Sequence, residues 1–134
     1  MDDAKRILPL KAHRDDRGVL KKILMLSQLE EGQIEEVYLL YTNSGCVRGN
    51  HYHLRTTEYF TVVQGEARIA LADWGIGGGE EFTLSDEEDK VVHVPAGVIH
   101  AFKNDTQHPL IMLAVSTREY DSLELDTYSR HILE

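Results

Sequence analysis

The sequence predicts an all-β fold in one domain spanning residues 1–134, and three features carry that expectation. No segment sustains the apolar repeat of an amphipathic helix. Short runs that alternate apolar and polar residues take its place. Clusters of Gly, Pro, Asn, Asp and Ser separate those runs at close intervals, the pattern of a sandwich or barrel and not of βαβ units.

Taken in order, Asp15-Asp16-Arg17-Gly18 reads as a turn and Val19 to Met25 as the strand after it. Ser27 to Glu31 reads as a short helical turn. Ile34 to Tyr41 follows as a strand with Val37, Leu39 and Tyr41 on one face, because side chains alternate along a strand. Val47 to His53, Glu58 to Gln64 and Ala67 to Ala72 come next. Glu81 to Leu84, Val91 to Val94, Ile99 to Lys103 and Leu110 to Ser116 complete the series, and Glu119 to Glu134 reads as strand or helix. Gly75 to Gly79 leads into a strand and not a helix, so it reads as a hairpin connection and not a phosphate loop.

Charge and cysteine content exclude several classes. A formal net charge of −9 speaks against a nucleic-acid partner, whose affinity comes largely from Lys and Arg on phosphates. It leaves room for a small anionic ligand in a local cationic pocket. Cys46 is the only cysteine, so no internal disulfide forms, which fits a reducing, cytoplasmic location. The first residues, MDDAKRILPLKAHRDDRG, contain no uninterrupted apolar segment, and neither a signal peptide nor a membrane span is expected.

The chemistry concentrates in GCVRGNHYHLRTTEYFTVVQG, residues 45 to 65. His51 and His53 leave one face of a strand. A turn through 54–57 brings Glu58 back onto a neighbouring strand facing the same interior, with Phe60 and Val62 sharing that parity. VPAGVIHAFKN, residues 94 to 104, adds His100 after a turn shaped by Pro95 and Gly97. Three neutral imidazoles and a carboxylate suit a divalent transition metal such as Zn, Fe, Mn or Ni. His13, His108 and His131 read as ordinary polar residues, and His93 as either pocket-lining or exposed.

These residues resemble the cupin superfamily. Gly45, His51, His53, Glu58 and Gly65 fill the fixed places of its first motif, G-x5-H-x-H-x4-E-x6-G. Pro95, Gly97, His100 and Asn104 match the second, with Asp89 where its first glycine stands. The resemblance implies a double-stranded β-helix, or jelly-roll barrel, with His51, His53, Glu58 and His100 as metal ligands. Asp16-Arg17-Gly18, Val37-Tyr38, Arg48 to His53 and Asp126-Thr127-Tyr128 are similar to segments of nucleotide-sugar cupins. Those are the C-terminal cupin of capsular-polysaccharide reductases, the dTDP-4-keto-6-deoxyglucose 3,4-ketoisomerases and the dTDP-4-dehydrorhamnose 3,5-epimerases.

That resemblance implies an epimerase or ketoisomerase of a 4-keto-6-deoxy sugar in polysaccharide biosynthesis. His51, His53 and Tyr38 are the expected catalytic residues. If both histidines hold a metal, their lone pairs are spent and proton transfer passes to another group, for which Tyr38 has the motif-level argument. Arg48 is the first candidate for a nucleotide diphosphate, because a guanidinium fork matches phosphate oxygens. Arg17 and Tyr52 join it as substrate-binding candidates, with Arg55 and Lys103 weaker. A homodimer is expected by analogy, with Ile7 to Lys11 adding a strand to a neighbour. Two other readings stand: a small metal-dependent dioxygenase and a non-catalytic small-molecule-binding module.

Overall fold

The computed structural model describes residues 6–25, 27, 33–75, 79–121 and 123–134. One five-stranded sheet runs β1 (Ile7–Pro9), β9 (Lys90–Val94), β6 (Glu58–Gln64), β11 (Leu110–Ser116) and β4 (Glu36–Thr42) from edge to edge. The other runs β12 (Tyr128–Ser129), β5 (Val47–Tyr52), β10 (Val98–Lys103), β7 (Glu66–Asp73) and β8 (Gly79–Ser85). A hairpin of β2 (Lys11–Asp15) and β3 (Gly18–Lys22) stands beside them. The ladders are antiparallel, and chain neighbours often lie in different sheets, which is the jelly-roll arrangement.

The alternation that identifies the strands also builds the core. Phe60, Val62, Ile69, Leu71, Val92, Val94, Phe102, Leu110 and Met112 are buried in one cluster between the sheets. Full burial of side chains of this size is worth about 1.5–3 kcal/mol each. The chain then covers parts of both outer faces. Leu8, Leu10, Ala12, Ile23 and Leu24 pack on Tyr59, Val91 and Val115 of the first sheet. Ile132 and Leu133 pack on Val47, Ala70 and Ala101 of the second.

Several expectations shift. Val37, Leu39 and Tyr41 do share a face, but it is the outer one, 58%, 48% and 59% exposed, while Tyr38 and Leu40 meet the core. Ile7–Pro9 pairs with β9 of its own chain, so that segment is already used in cis. The tail contains only the two-residue strand β12 among its described residues. The expected helical turn falls, beyond Ser27, outside the described residues, as do positions 76–78 of the glycine cluster.

Candidate active site

β5 and β10 pair with His51 opposite His100, and the register slips between His100 and Ala101. Local geometry enforces the slip. Gly49 has φ +94°, and a Cβ there would stand 2.6 Å from the His100 carbonyl oxygen. Asn50 follows at φ 58°, a region that asparagine enters more readily than most residues. The turn before β10 is tied to the site, since Gly97 N donates to the His53 carbonyl at 2.6 Å.

The three imidazoles converge. Ring centroids are 5.1 Å apart for His51 and His53, 4.6 Å for His51 and His100, and 5.4 Å for His53 and His100. One nitrogen from each lies within 4.8 Å of the others. Glu58 stands beside this set: Oε1 is 2.8 Å from His53 Nε2 and 3.7 Å from His100 Nε2. Its other oxygen, Oε2, accepts the Tyr38 hydroxyl at 2.5 Å. His100 is 1% exposed and Glu58 4%.

The Nδ1 atoms of His53 and His100 are spoken for. A carbonyl oxygen only accepts, so His53 Nδ1 donates to the Asp126 carbonyl at 2.7 Å, and His100 Nδ1 donates to Val98 O at 3.3 Å. That turns both Nε2 atoms toward Glu58. His53 Nε2 is buried and, despite its nearness to Glu58, has no aligned hydrogen-bond partner. Buried polar atoms are rarely left so. Convergent imidazole nitrogens, an orphaned Nε2 and an adjacent carboxylate fit a divalent cation.

Electrostatics follow from burial and neighbours. Burial first, then His51, pushes the His100 pKa down to about 3 against the pull of Glu58. Burial and then His53 lower that of His51. Burial acts to lower His53 too, but the Glu58 carboxylate and the Asp126 carbonyl outweigh it and raise the pKa. Burial acts to raise Glu58, and His53, Tyr38 and His100 reverse the sign. Tyr38 is held far above the usual phenol range by burial and then by the Glu58 charge.

These groups open into a cavity of about 600 Å³ lined by Tyr38, His51, His53 and Glu58. Its mouth carries Glu35, Glu36, Glu119, Asp121, Glu124 and Asp126 against Arg55 and Arg118. Part of this acidity is structural lacing. Glu35 accepts Glu119 N at 3.0 Å, Glu36 accepts Tyr120 N at 2.8 Å, and Asp121 accepts Leu123 N at 2.8 Å. Asp126 accepts Leu54 N, Arg55 N and the Thr56 hydroxyl at 2.9, 2.9 and 2.8 Å, which hold its pKa down although burial acts to raise it.

Three expected substrate contacts lie outside this cavity. Arg17 sits in the β2–β3 turn with its guanidinium 2.6 Å from Asp15. Arg48 donates to the Tyr41 carbonyl at 2.8 and 3.1 Å. Tyr52 alternates away from His51 and His53, stacking on Tyr128 at 5.4 Å and beside Trp74 at 5.9 Å. His93 lies flat against Tyr59 at 4.7 Å and lines no part of the cavity. Arg118, Glu35, Glu36 and Glu119 are among the cavity residues that the sequence did not single out, and Asp126 entered only through the segment similar to nucleotide-sugar cupins.

Residues 13–128 match the family described as polysaccharide biosynthesis C-terminal domain. The UDP-2-acetamido-2,6-beta-L-arabino-hexul-4-ose reductase of Pseudomonas aeruginosa is 27% identical over 117 residues, covering 87% of this chain and 30% of the reductase. The chain thus spans less than a third of that relative. The epimerase RmlC of Legionella pneumophila, solved with dTDP-4-keto-L-rhamnose, superposes with a TM-score of 0.80 at 21% identity, over 95% of this chain and 72% of that one. The 3,4-ketoisomerase QdtA of Thermoanaerobacterium thermosaccharolyticum, a variant solved with TDP-4-keto-6-deoxyglucose, gives 0.77 at 18% identity, over 91% and 84%. These likenesses establish the cupin jelly roll.

Proposed function

Because the chain belongs to the polysaccharide biosynthesis C-terminal domain family, we propose that its histidine cavity epimerises or ketoisomerises a nucleotide-linked 4-keto-6-deoxy sugar. The similarity to a hexul-4-ose reductase, an epimerase and a ketoisomerase supports the substrate class. One observation carries the site: three imidazoles, each with a nitrogen within 4.8 Å of the others, stand beside the buried Glu58 carboxylate. His51, His53 and His100, with Glu58 beside them, would hold a divalent metal. When bound, such an ion supplies Lewis-acid stabilisation of negative charge on a sugar oxygen.

The chain's own groups handle the proton. Both outcomes begin with loss of a proton from carbon beside the ketone and end with its return to the opposite face or to the neighbouring carbon. Tyr38 stays protonated at neutral pH with its hydroxyl on Glu58 Oε2 at 2.5 Å, so the pair forms a relay: as Tyr38 takes the proton from carbon, its own passes to Oε2, and the reverse movement returns one to the sugar. In a metal-free reading His51 takes the first proton, since its lowered pKa leaves it neutral and it lines the cavity. Arg55 and Arg118, at the mouth, are the cations available to a diphosphate.

A second copy of the chain is the proposed partner, seated on the outer face of β4 through Val37, Leu39 and Tyr41. The test of function is proton exchange: the protein incubated in heavy water with a dTDP- or UDP-linked 4-keto-6-deoxy sugar. Deuterium at carbon 3 supports the reading. Its absence, together with iron-dependent oxygen uptake, replaces it with a dioxygenase; tight binding with neither leaves a binding module. Full exchange after metal removal would assign the proton to His51.

A further inference from the structure

The segment after residue 125 runs beside the histidine strand β5, along the edge of its sheet. Its carboxylate Asp126 gathers Leu54 N, Arg55 N and the Thr56 hydroxyl, the loop that follows His53. β12 then pairs Tyr128 with Tyr52 and Ser129 with His51. Asn50 fastens the far end: Oδ1 accepts Ile132 N and Leu133 N at 2.8 and 3.0 Å, and Nδ2 donates to Leu133 O at 2.9 Å. The backbone of Asp126 meanwhile presents its carbonyl to His53 Nδ1 at 2.7 Å. Thr127 Oγ1 is 3.5 Å from the same nitrogen, at the outer limit of a hydrogen bond.

From this geometry we infer that Asp126 is a positioning residue. Its carbonyl draws a ring hydrogen of His53 to Nδ1 against the pull of Glu58 on the other nitrogen, and its carboxylate holds that carbonyl in register, so that Nε2, 2.8 Å from Glu58 Oε1, is the nitrogen offered to the cavity. The two halves of the residue act together. The carbonyl alone biases which ring nitrogen carries the hydrogen, but a carbonyl on a loose segment drifts from the ring. The carboxylate prevents this by binding the loop that carries His53 through three donors on consecutive residues. Without the carbonyl the ring returns to the form imidazole favours in water, with hydrogen on Nε2, and that nitrogen can no longer ligate. The residue acts through His53 and need not touch substrate.

The inference rests on the proposed metal site only for its second readout. The first is the ring-nitrogen spectrum of ¹⁵N-labelled, chelated protein at alkaline pH, with His53 assigned by its loss in His53→Asn. Wild type should show a larger share of the Nδ1–H form of His53 than either Asp126 variant, with Glu58 pulling toward Nε2–H in all three. Asp126→Ala should show the largest share of the Nε2–H form, and Asp126→Asn, which keeps one accepting oxygen, an intermediate. Asn50→Gly removes the other clasp of the same segment and should lower thermal stability while leaving the His53 signals as in wild type. The second readout is Zn²⁺ titration without substrate, where Asp126→Ala should weaken binding about 10- to 100-fold. Unchanged His53 nitrogens in folded Asp126→Ala overturn the inference. So does an Asn50→Gly spectrum shifted as far as that of Asp126→Ala. If Asp126→Ala does not fold, the Asp126→Asn spectrum decides on the same criterion. Should wild type bind no Zn²⁺, the metal reading fails and the ring-nitrogen spectra still decide the role of Asp126.

Discussion

The two ends of the barrel each bury a polar cluster, and they differ in how completely it is satisfied. Along β11, Leu110 faces Thr42 at one end and Ser116 faces Glu36 and Glu58 at the other. At the first end Asn104 is fully buried and every capacity of its amide is used. Nδ2 donates to Thr42 O and His108 O, and Oδ1 accepts Thr106 N and Thr106 Oγ1. At the second end three imidazoles and a carboxylate point at one another, and His53 Nε2 has no aligned partner. A closed network stabilises the fold; an open convergence of ligand-type atoms is spent on chemistry.

Substitutions at the two ends should therefore separate activity from stability. The largest expected effect is on rate: Tyr38→Phe should slow deuterium incorporation about 100- to 10,000-fold, with unfolding free energy lowered only by about 1 kcal/mol. Asn104→Ala should do the reverse. It strands the Thr42 and His108 carbonyls and Thr106 N, and chemical denaturation should show a loss of about 2–4 kcal/mol with exchange per folded molecule unchanged. Equal rate losses in both variants would break the comparison.

A pair of glycines sharpens it. Gly49 and Gly65 have φ +94° and +97°, and a Cβ would meet the His100 and Pro109 carbonyl oxygens at 2.6 and 2.5 Å. Each change to Ala should cost about 1–3 kcal/mol, measured by denaturation. Gly49→Ala alone should also depress zinc affinity, because it disturbs the strand between His51 and His100.

Smallest for each unit step is the dependence on pH. His100 has a folded pKa of about 3 against an ordinary 6.5, so below pH 6.5 the unfolded chain binds more protons. Stability is complete above that value and falls as pH drops toward 3, by roughly 1 kcal/mol per pH unit. His51 and Glu58, both lowered, act in the same direction, and His53, raised, opposes them. Thermal melts of chelated protein between pH 7 and 4 should show this slope, reduced in His100→Gln and retained in Asn104→Ala.

The metal-type residues were legible because strand parity and turn spacing alone put His51, His53, Glu58 and His100 on facing interiors. Two strands, Glu58–Gln64 and Leu110–Ser116, begin and end where alternation placed them. Arg48 and Tyr52 were named on local motif likeness, and alternation turns them away from His51 and His53 and out of the cavity. β1 was expected only as a strand added to a neighbour and pairs with β9, distant in sequence, while β2, the first arm of the β2–β3 hairpin, went unread because its residues lack sustained alternation. Asp126 and Arg118 lie on irregular segments, where no period reports direction. Their place in the site depends on how the tail returns across β5 and how the chain leaves β11.

The carboxylate-lined mouth has a consequence for capture of substrate. The proposed nucleotide-linked sugar, carrying two phosphates, would approach a chain of formal charge −9 through an entrance with more acids than bases, so its encounter would be opposed at long range and rewarded at Arg55 and Arg118. Screening shortens that repulsion to about 8 Å at physiological ionic strength. Added salt should therefore raise kcat/KM at first, the opposite of an electrostatically steered enzyme.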